Sequence, residues 1–234
     1  MQPSIKKRDY RQRAHANPFK DNNIDIPSDP QSVDWTKYFY CNISDDATKL
    51  IDSSRKPDFV DIGCGYGKFL LKVAAKHPEH HILGIELRDK VHDYVKTMIS
   101  SMNVLNAGIM KTNAMIFLPN IFEARQLSKV FVLFPDPHFK KRKWKGRVVS
   151  PQMMEVYEYL LMKGGRLYIS TDVEELFNYM DETIVSSRLF RPLSEDEAAL
   201  DEMSSMISRD TDEAGRAGAK SGKVFSRVFE VNKE

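Results

Sequence analysis

The stretch Asp58-Phe59-Val60-Asp61-Ile62, running directly into Gly63-Cys64-Gly65-Tyr66-Gly67, restricts the fold of this chain more than any other. A short apolar run followed by three glycines at two-residue spacing predicts a buried strand that ends in a tight turn. Glycine adopts the backbone angles such a turn needs and lets the main chain approach a ligand closely. In doubly wound sheets, ligands sit beyond the carboxyl ends of the strands, near the point where strand order reverses. The glycine run is placed for that position.

The sequence after it alternates between strand and helix patterns. Phe69 to Ala75 repeats at helical spacing until Pro78, and Ile82-Leu83-Gly84-Ile85-Glu86 predicts a second strand. Val91 to Met102 predicts a helix, and Ala107 to Lys111 a third strand. Lys129 to Phe134 predicts a fourth strand, stopped by Pro135. Pro151 to Met162 predicts a helix with proline in its first turn, where proline is tolerated. Gly164-Gly165 then predicts a turn into a fifth strand, Arg166 to Thr171. Val173 to Val185 is helical, and Val224 to Val231 alternates like a late strand paired near Leu189-Phe190. Strands separated by helices imply right-handed βαβ units and a mostly parallel sheet, here with an antiparallel hairpin at one edge. The expected organisation is an N-terminal basic arm over residues 1–45, partly flexible, and one doubly wound α/β domain over 46–234.

Length and composition narrow the class further. At 234 residues, 41% hydrophobic and 29% charged, the chain can bury a full core, and it contains no apolar run long enough to span a bilayer. Cys41 and Cys64 are too far apart and too few for a disulfide framework or a zinc site, so no metal is expected and a reducing compartment is the default. The net charge of +2 conceals strong local asymmetry. Residues 1–20 hold six Lys or Arg against one Asp, and residues 140–147 hold six basic residues in eight. Residues 195–213 are acidic. Patches of this kind, rather than the total, govern polyanion binding.

The glycine spacing bears on the cofactor. Dinucleotide folds favour G-x-G-x-x-G, which places a pyrophosphate at a helix N-terminus. Here it is G-x-G-x-G, which resembles the first motif of class I methyltransferases and their phosphate-free cofactor, S-adenosylmethionine. Glu86 closes the second strand, where a carboxylate can accept hydrogen bonds from both ribose hydroxyls. Asn113-Ala114, after the third strand, takes the place where class I methyltransferases grip adenine. Leu133-Phe134-Pro135-Asp136-Pro137-His138-Phe139 sets one acid between two prolines just past the fourth strand, which stiffens the loop that carries it. Its position is similar to the Asn/Asp-Pro-Pro-aromatic loop of enzymes that methylate base amines, and the basic run from Lys140 follows at once.

Together these stretches resemble the catalytic subunit of the eukaryotic tRNA (guanine-N7-)-methyltransferase family. The likeness extends to Lys7 through Pro18, Val60–Gly67, Leu83–Arg88, Asn113–Met115, Leu133–Lys140, Thr171-Asp172-Val173 and Thr211–Glu213. It implies cofactor contacts at Gly63, Gly65, Glu86, Arg88, Asn113, Ala114, Leu133, Thr211 and Glu213, and Asp136 as the active-site acid. It implies methyl transfer from S-adenosylmethionine to guanine N7 in the tRNA variable loop and a WD-repeat propeller subunit as partner in a heterodimer. Lys6-Lys7-Arg8 of the basic arm fits nuclear import and, equally, a solubilising tail; the expected location is the nucleus. The sequence departs from the family at Trp144, which falls early in the basic segment, and the acidic region is only loosely alike.

Guanine N7 presents an in-plane lone pair at neutral pH, so its methylation requires no prior deprotonation. Asp136 is therefore expected to accept hydrogen bonds from the N1–H and 2-amino edge of guanine rather than to act as a general base. His138 or Phe139 is placed to stack on or flank the base. Lys140, Lys141, Arg142 and Lys143, through to Arg147, and Arg11 and Arg13 of the arm are expected to meet tRNA phosphates. Two rival readings use fewer of these features. A methyltransferase for a small molecule or protein leaves both basic patches unexplained, and a non-catalytic tRNA-binding subunit leaves Glu86, Asn113 and Asp136 unexplained.

Overall fold

The computed structural model describes residues 5–12, 24–39, 56–137, 146–211, 214–215 and 223–233. Seven strands form one mixed sheet in the order β3-β2-β1-β4-β5-β7-β6. β1 (Phe59–Ile62), β2 (Ile82–Ile85) and β3 (Ala107–Met110) are buried at every residue, the signature of parallel strands covered on both faces. β1 pairs in parallel with β2 on one side and with β4 (Leu127–Leu133) on the other. The chain therefore winds outward to β3 and returns across β1 to β4, and the reversal lies between β1 and β4. β5 (Leu161–Thr171) continues the parallel set, and β7 (Phe225–Val231) pairs antiparallel with both β5 and β6 (Phe190–Pro192). The expected edge hairpin is thus present, with β7 inserted between β5 and β6.

Helices cover both faces. α1 (Lys68–Lys76) and α2 (Asp89–Ser101) pack with α7 (Glu202–Met206) against Phe131, Leu133 and Tyr168. α3 (Ala114–Ile121), α4 (Pro151–Leu160) and α5 (Glu174–Ser187) pack on the other face against Val130, Val132, Leu167 and Ile169. Within the N-terminal segment, Trp35, Tyr38 and Phe39 are buried in this second layer, with Trp35 stacked on Phe122 at 6.1 Å. Among the described residues, no helix is long and apolar enough to cross a membrane.

Two expectations need correction. The helix predicted to run to Met162 ends at Leu160, because Leu161 already pairs with Leu127 of β4. Gly164-Gly165 therefore lies inside β5, where the pairing jumps from Leu127–Leu161 to Lys129–Arg166, instead of in a turn before it. The glycines relieve a bulge that the 2.8 Å approach of a Gly165 Cβ to the Met162 carbonyl would otherwise crowd.

The acidic stretch is also more ordered than its charge suggests. α6 (Glu195–Leu200) begins with a Ser194–Glu197 capping box, and Asp201 caps α7. Lys68, Lys72 and Lys76 line one stripe of α1, and each meets this segment. Lys68 Nζ donates to the Thr211 carbonyl at 3.1 Å, Lys72 pairs with Asp210, and Lys76 pairs with Glu202 at 2.7 Å. The negative charge is thus partly neutralised inside the fold.

Asp201 fastens the segment to the sheet. Tyr168 Oη and Arg166 Nη1 each donate to its Oδ2 at 2.7 Å, and the Met203 N–H donates to Oδ1 at 2.9 Å. Burial works against the charge of this carboxylate, but the bonds from Tyr168 and Arg166 and the Lys129 charge outweigh it, holding its pKa below the ordinary 3.8. A carboxyl with a depressed folded-state pKa contributes stability above its ordinary value and loses it as pH falls through the folded value. Asp201→Asn is therefore expected to lower stability by about 1–3 kcal/mol at neutral pH. That difference should shrink as pH drops below 3.8. Urea unfolding of both proteins across pH measures it, and a pH-independent difference contradicts the assignment.

Candidate active site

The carboxyl ends of β1, β2, β3 and β4 define the crevice. After β1, the Gly63 and Cys64 N–H groups donate to the Ile85 carbonyl at 2.8 and 3.1 Å, which stitches the glycine turn to the end of β2. Gly63 and Gly67 each have φ near +73°, in the left-handed region that penalises a side chain. A Cβ on Gly67 would also press Val95 of α2 at 3.0 Å, whereas one on Gly63 would meet nothing within 4 Å. The backbone at Gly63 thus faces open space at the switch point, beside the buried Asp61.

Glu86, immediately past β2, is 4% exposed. Its Oε1 accepts from the Leu87 N–H, the Arg88 N–H and Arg88 Nε at 2.8, 2.9 and 3.0 Å, and its Oε2 accepts from Arg88 Nη2 at 2.7 Å. Burial disfavours the Arg88 charge, yet the Glu86 hydrogen bonds and charge outweigh it and push the Arg88 pKa up from its ordinary value. Arg88 holds the carboxylate in a fixed orientation, and Oε2, with one of these four donors, retains acceptor capacity for a hydroxyl. After β3, Asn113 is buried and caps α3 by accepting from the Met115 N–H at 3.1 Å, which fixes the Asn113-Ala114 backbone at the rim.

After β4, the chain turns abruptly. Leu133 pairs with Ser170, and the Phe134 N–H still donates to the Ser170 carbonyl at 2.7 Å. Phe134 then takes φ = +50°, a strained value for an aromatic residue and one made harder by the proline that follows. Strain of this kind persists where the surrounding structure over-determines it, and it concentrates at functional loops. Pro135-Asp136-Pro137 follows, next to the glycine turn because β1 and β4 are neighbours. Asp136 is half-buried. The Ser170 hydroxyl, fully buried beside this turn, has no hydrogen-bond partner among the described residues.

An open cradle over a positive-φ glycine, a buried carboxylate at the end of the adjacent strand and a rigid acid-bearing loop on the other side fit a nucleoside cofactor without phosphate. A family model described as "Putative methyltransferase" matches residues 55–227. A tRNA (guanine-N(7)-)-methyltransferase from Brugia malayi is 40% identical over 98% of this chain and 88% of its own length. One from Caenorhabditis elegans is 38% identical over 95% of this chain and 87% of its own. The chain belongs to the tRNA (guanine-N(7)-)-methyltransferase family. A solved 16S rRNA methyltransferase, KamB, covers 81% of this chain and 94% of its own with a TM-score of 0.51 at 15% identity, a likeness of fold.

The other residues that the family resemblance singled out divide between described and undescribed positions. Thr211 is buried; its hydroxyl accepts from the Ala214 N–H at 2.8 Å, and its carbonyl accepts from Lys68, the first residue of α1 after the glycine turn. Thr211 is thereby tied to the crevice across a long stretch of sequence. Arg11 is exposed on an N-terminal segment whose Gln12 Oε1 accepts from the Lys90 N–H at 2.9 Å. In that segment Lys7 Nζ lies 5.4 Å from the ring centre of Tyr66, and Tyr10 meets Tyr94 edge-on at 5.4 Å. The basic arm therefore reaches the glycine turn. Glu213, Arg13, His138, Lys140, Lys141, Arg142 and Lys143 lie outside the described residues.

Two residues escaped sequence reasoning. Lys68 and Tyr66 carry no spacing signal, because their roles depend on segments distant in sequence. The structural role of Arg147 escaped as well: expected to meet tRNA phosphate, it is instead turned inward and 7% exposed.

Proposed function

We propose that this chain transfers a methyl group from S-adenosylmethionine to N7 of a guanine in tRNA. The arrangement that carries this reading is the placement of the Phe134–Pro137 loop beside the glycine turn at the β1/β4 switch point. The whole-length match to tRNA (guanine-N(7)-)-methyltransferases supports it. The cofactor, when bound, supplies an electrophilic sulfonium methyl. Glu86 takes the ribose hydroxyls, the Gly63–Gly65 backbone lies along the cofactor, and Asn113, Ala114, Leu133, Thr211 and Glu213 complete its pocket.

Asp136 holds the acceptor base. Because N7 already has a free lone pair, catalysis consists mainly of positioning it in line with the methyl group, a contribution of up to about 7–11 kcal/mol. Methylation places positive charge on the purine and strengthens N1–H as a donor, so a carboxylate on that edge binds the transition state more tightly than the ground state. Adenine lacks the N1–H and 2-amino pattern, would leave the carboxylate unpaired, and is rejected.

The tRNA lies across two basic segments, Lys140–Lys143 with His138 beside the base, and the arm with Arg11 and Arg13. Each phosphate contact removed by Lys or Arg→Ala substitution in either segment is expected to reduce the log–log salt slope of tRNA binding by about 0.7–0.9. An unchanged slope after several substitutions contradicts this footprint. We assign the variable loop as target, a WD-repeat propeller subunit as partner, and the nucleus as location, the last supported by Lys6-Lys7-Arg8. Labelling total tRNA with methyl-labelled cofactor, then mapping the modified base after borohydride and aniline cleavage, tests the function. Cleavage at one variable-loop guanine is expected, and label at an exocyclic amine or ribose hydroxyl rules it out.

A further inference from the structure

We propose that Arg147 is a positioning residue that sets the Asp136 loop, and not a contact to tRNA phosphate. The proposal rests on the reading of Asp136 as the acid that holds the base. Arg147 Nε and Nη2 both donate to the Pro137 carbonyl, at 3.2 and 3.0 Å, one residue from Asp136. The guanidinium carbon lies 4.0 Å from the centre of the Tyr179 ring of α5. A cation over an aromatic face, with two of its donors on one carbonyl, is committed to the protein.

The residues that hold Arg147 are themselves fixed. Val149 is buried, Ser150 caps α4 by accepting from the Met153 N–H at 3.4 Å, and the buried Tyr157 donates to the Val148 carbonyl at 2.7 Å. Arg147 thus ties Pro137 to the α4–α5 layer, whose place is set by the core. The Asp136 loop is consequently held from both ends: by the Phe134–Ser170 ladder bond on one side and by Arg147 on the other. Asp136 is thereby kept in register with the crevice.

Displacement of a reacting group by about 1 Å can cost about 100-fold in rate. Arg147→Met removes charge and fork, Arg147→Lys keeps the charge but cannot supply the flat two-donor fork, and Tyr179→Leu removes the ring. With kcat referenced to sites counted by S-adenosylmethionine titration, so that unfolded protein is not scored, all three variants are expected to lose roughly 10- to 30-fold in kcat. KM for tRNA should stay within about twofold, and the salt slope of tRNA binding should be unchanged in Arg147→Met. A kcat within about twofold of wild type, or a slope reduced by about 0.7–0.9 as a lost phosphate contact requires, overturns the proposal. Asp136→Ala run in parallel separates the two failures. An inactive Asp136→Ala with a fully active Arg147→Met sinks the clamp alone, whereas a fully active Asp136→Ala sinks the reading of the loop and the clamp with it.

Discussion

Replacing Asp136 with alanine is expected to lower kcat by roughly 100- to 1000-fold while leaving affinity for S-adenosylmethionine within about twofold. The reasoning is electrostatic. The carboxylate sits on a loop whose conformation is fixed before substrate arrives, by the strained Phe134, two prolines and the hydrogen bonds to the Pro137 carbonyl. Charge that is already in place where positive charge develops on the purine lowers the barrier with little reorganisation. Asp136→Asn keeps one acceptor but loses the charge, so it should fall between alanine and wild type. Single-turnover rates at saturating cofactor read both variants. Unchanged turnover in Asp136→Ala removes this residue from the chemistry.

Replacing Glu86 with alanine is expected to weaken S-adenosylmethionine binding by at least about 100-fold, since hydrogen bonds to a charged acceptor are worth about 1.5–3 kcal/mol each. The loss has a second source. Glu86 accepts from the Leu87 N–H and from three N–H groups of Arg88, and without it the largely buried guanidinium loses its counter-charge at the rim of the pocket. Glu86→Gln preserves shape and one acceptor oxygen and should show a smaller loss. Calorimetric titration with S-adenosylmethionine and with its demethylated product measures both, with circular dichroism confirming the fold. Equal affinity in wild type and Glu86→Ala contradicts the ribose assignment.

The sequence disclosed the parts of this molecule that local chemistry determines. The parallel core was legible because β1, β2 and β4 are short, β-branched and aromatic, and separated by amphipathic helices. The turns after β1 and β4 were legible because glycines and prolines mark where a backbone must turn, and Glu86 was legible as the residue that closes an apolar strand. α3 was not, because Pro119 interrupts the pattern of Ala114–Ile121 and the helix is held by its Asn113 cap and buried Leu118 and Ile121. The Gly164-Gly165 bulge was misplaced because a glycine pair reads the same in a turn as in a strand that shifts register.

Long-range pairings were the least accessible. Charge counting shows that residues 195–213 are acidic but not that Asp201, Glu202 and Asp210 find partners on β5 and α1. Arg147 lies in a run of basic residues, and nothing in that run separates the one side chain that turns inward. The fold of the N-terminal segment over Tyr66, which brings a basic arm to the cofactor turn, is likewise a tertiary fact.

Methyl transfer to N7 of guanine in tRNA requires that the lone pair of N7 be the nucleophile. Two transcripts of one tRNA, identical except that the variable-loop guanine of one is 7-deazaguanine, test it directly, with the chain assayed alone and together with a WD-repeat propeller subunit. Replacing N7 with C–H removes the nucleophilic lone pair and keeps the N1–H and 2-amino edge that Asp136 reads. Methyl label is expected on the natural transcript and absent from the 7-deaza transcript, which should still bind and compete. Equal labelling of both transcripts would place the methyl on another atom and contradict the account.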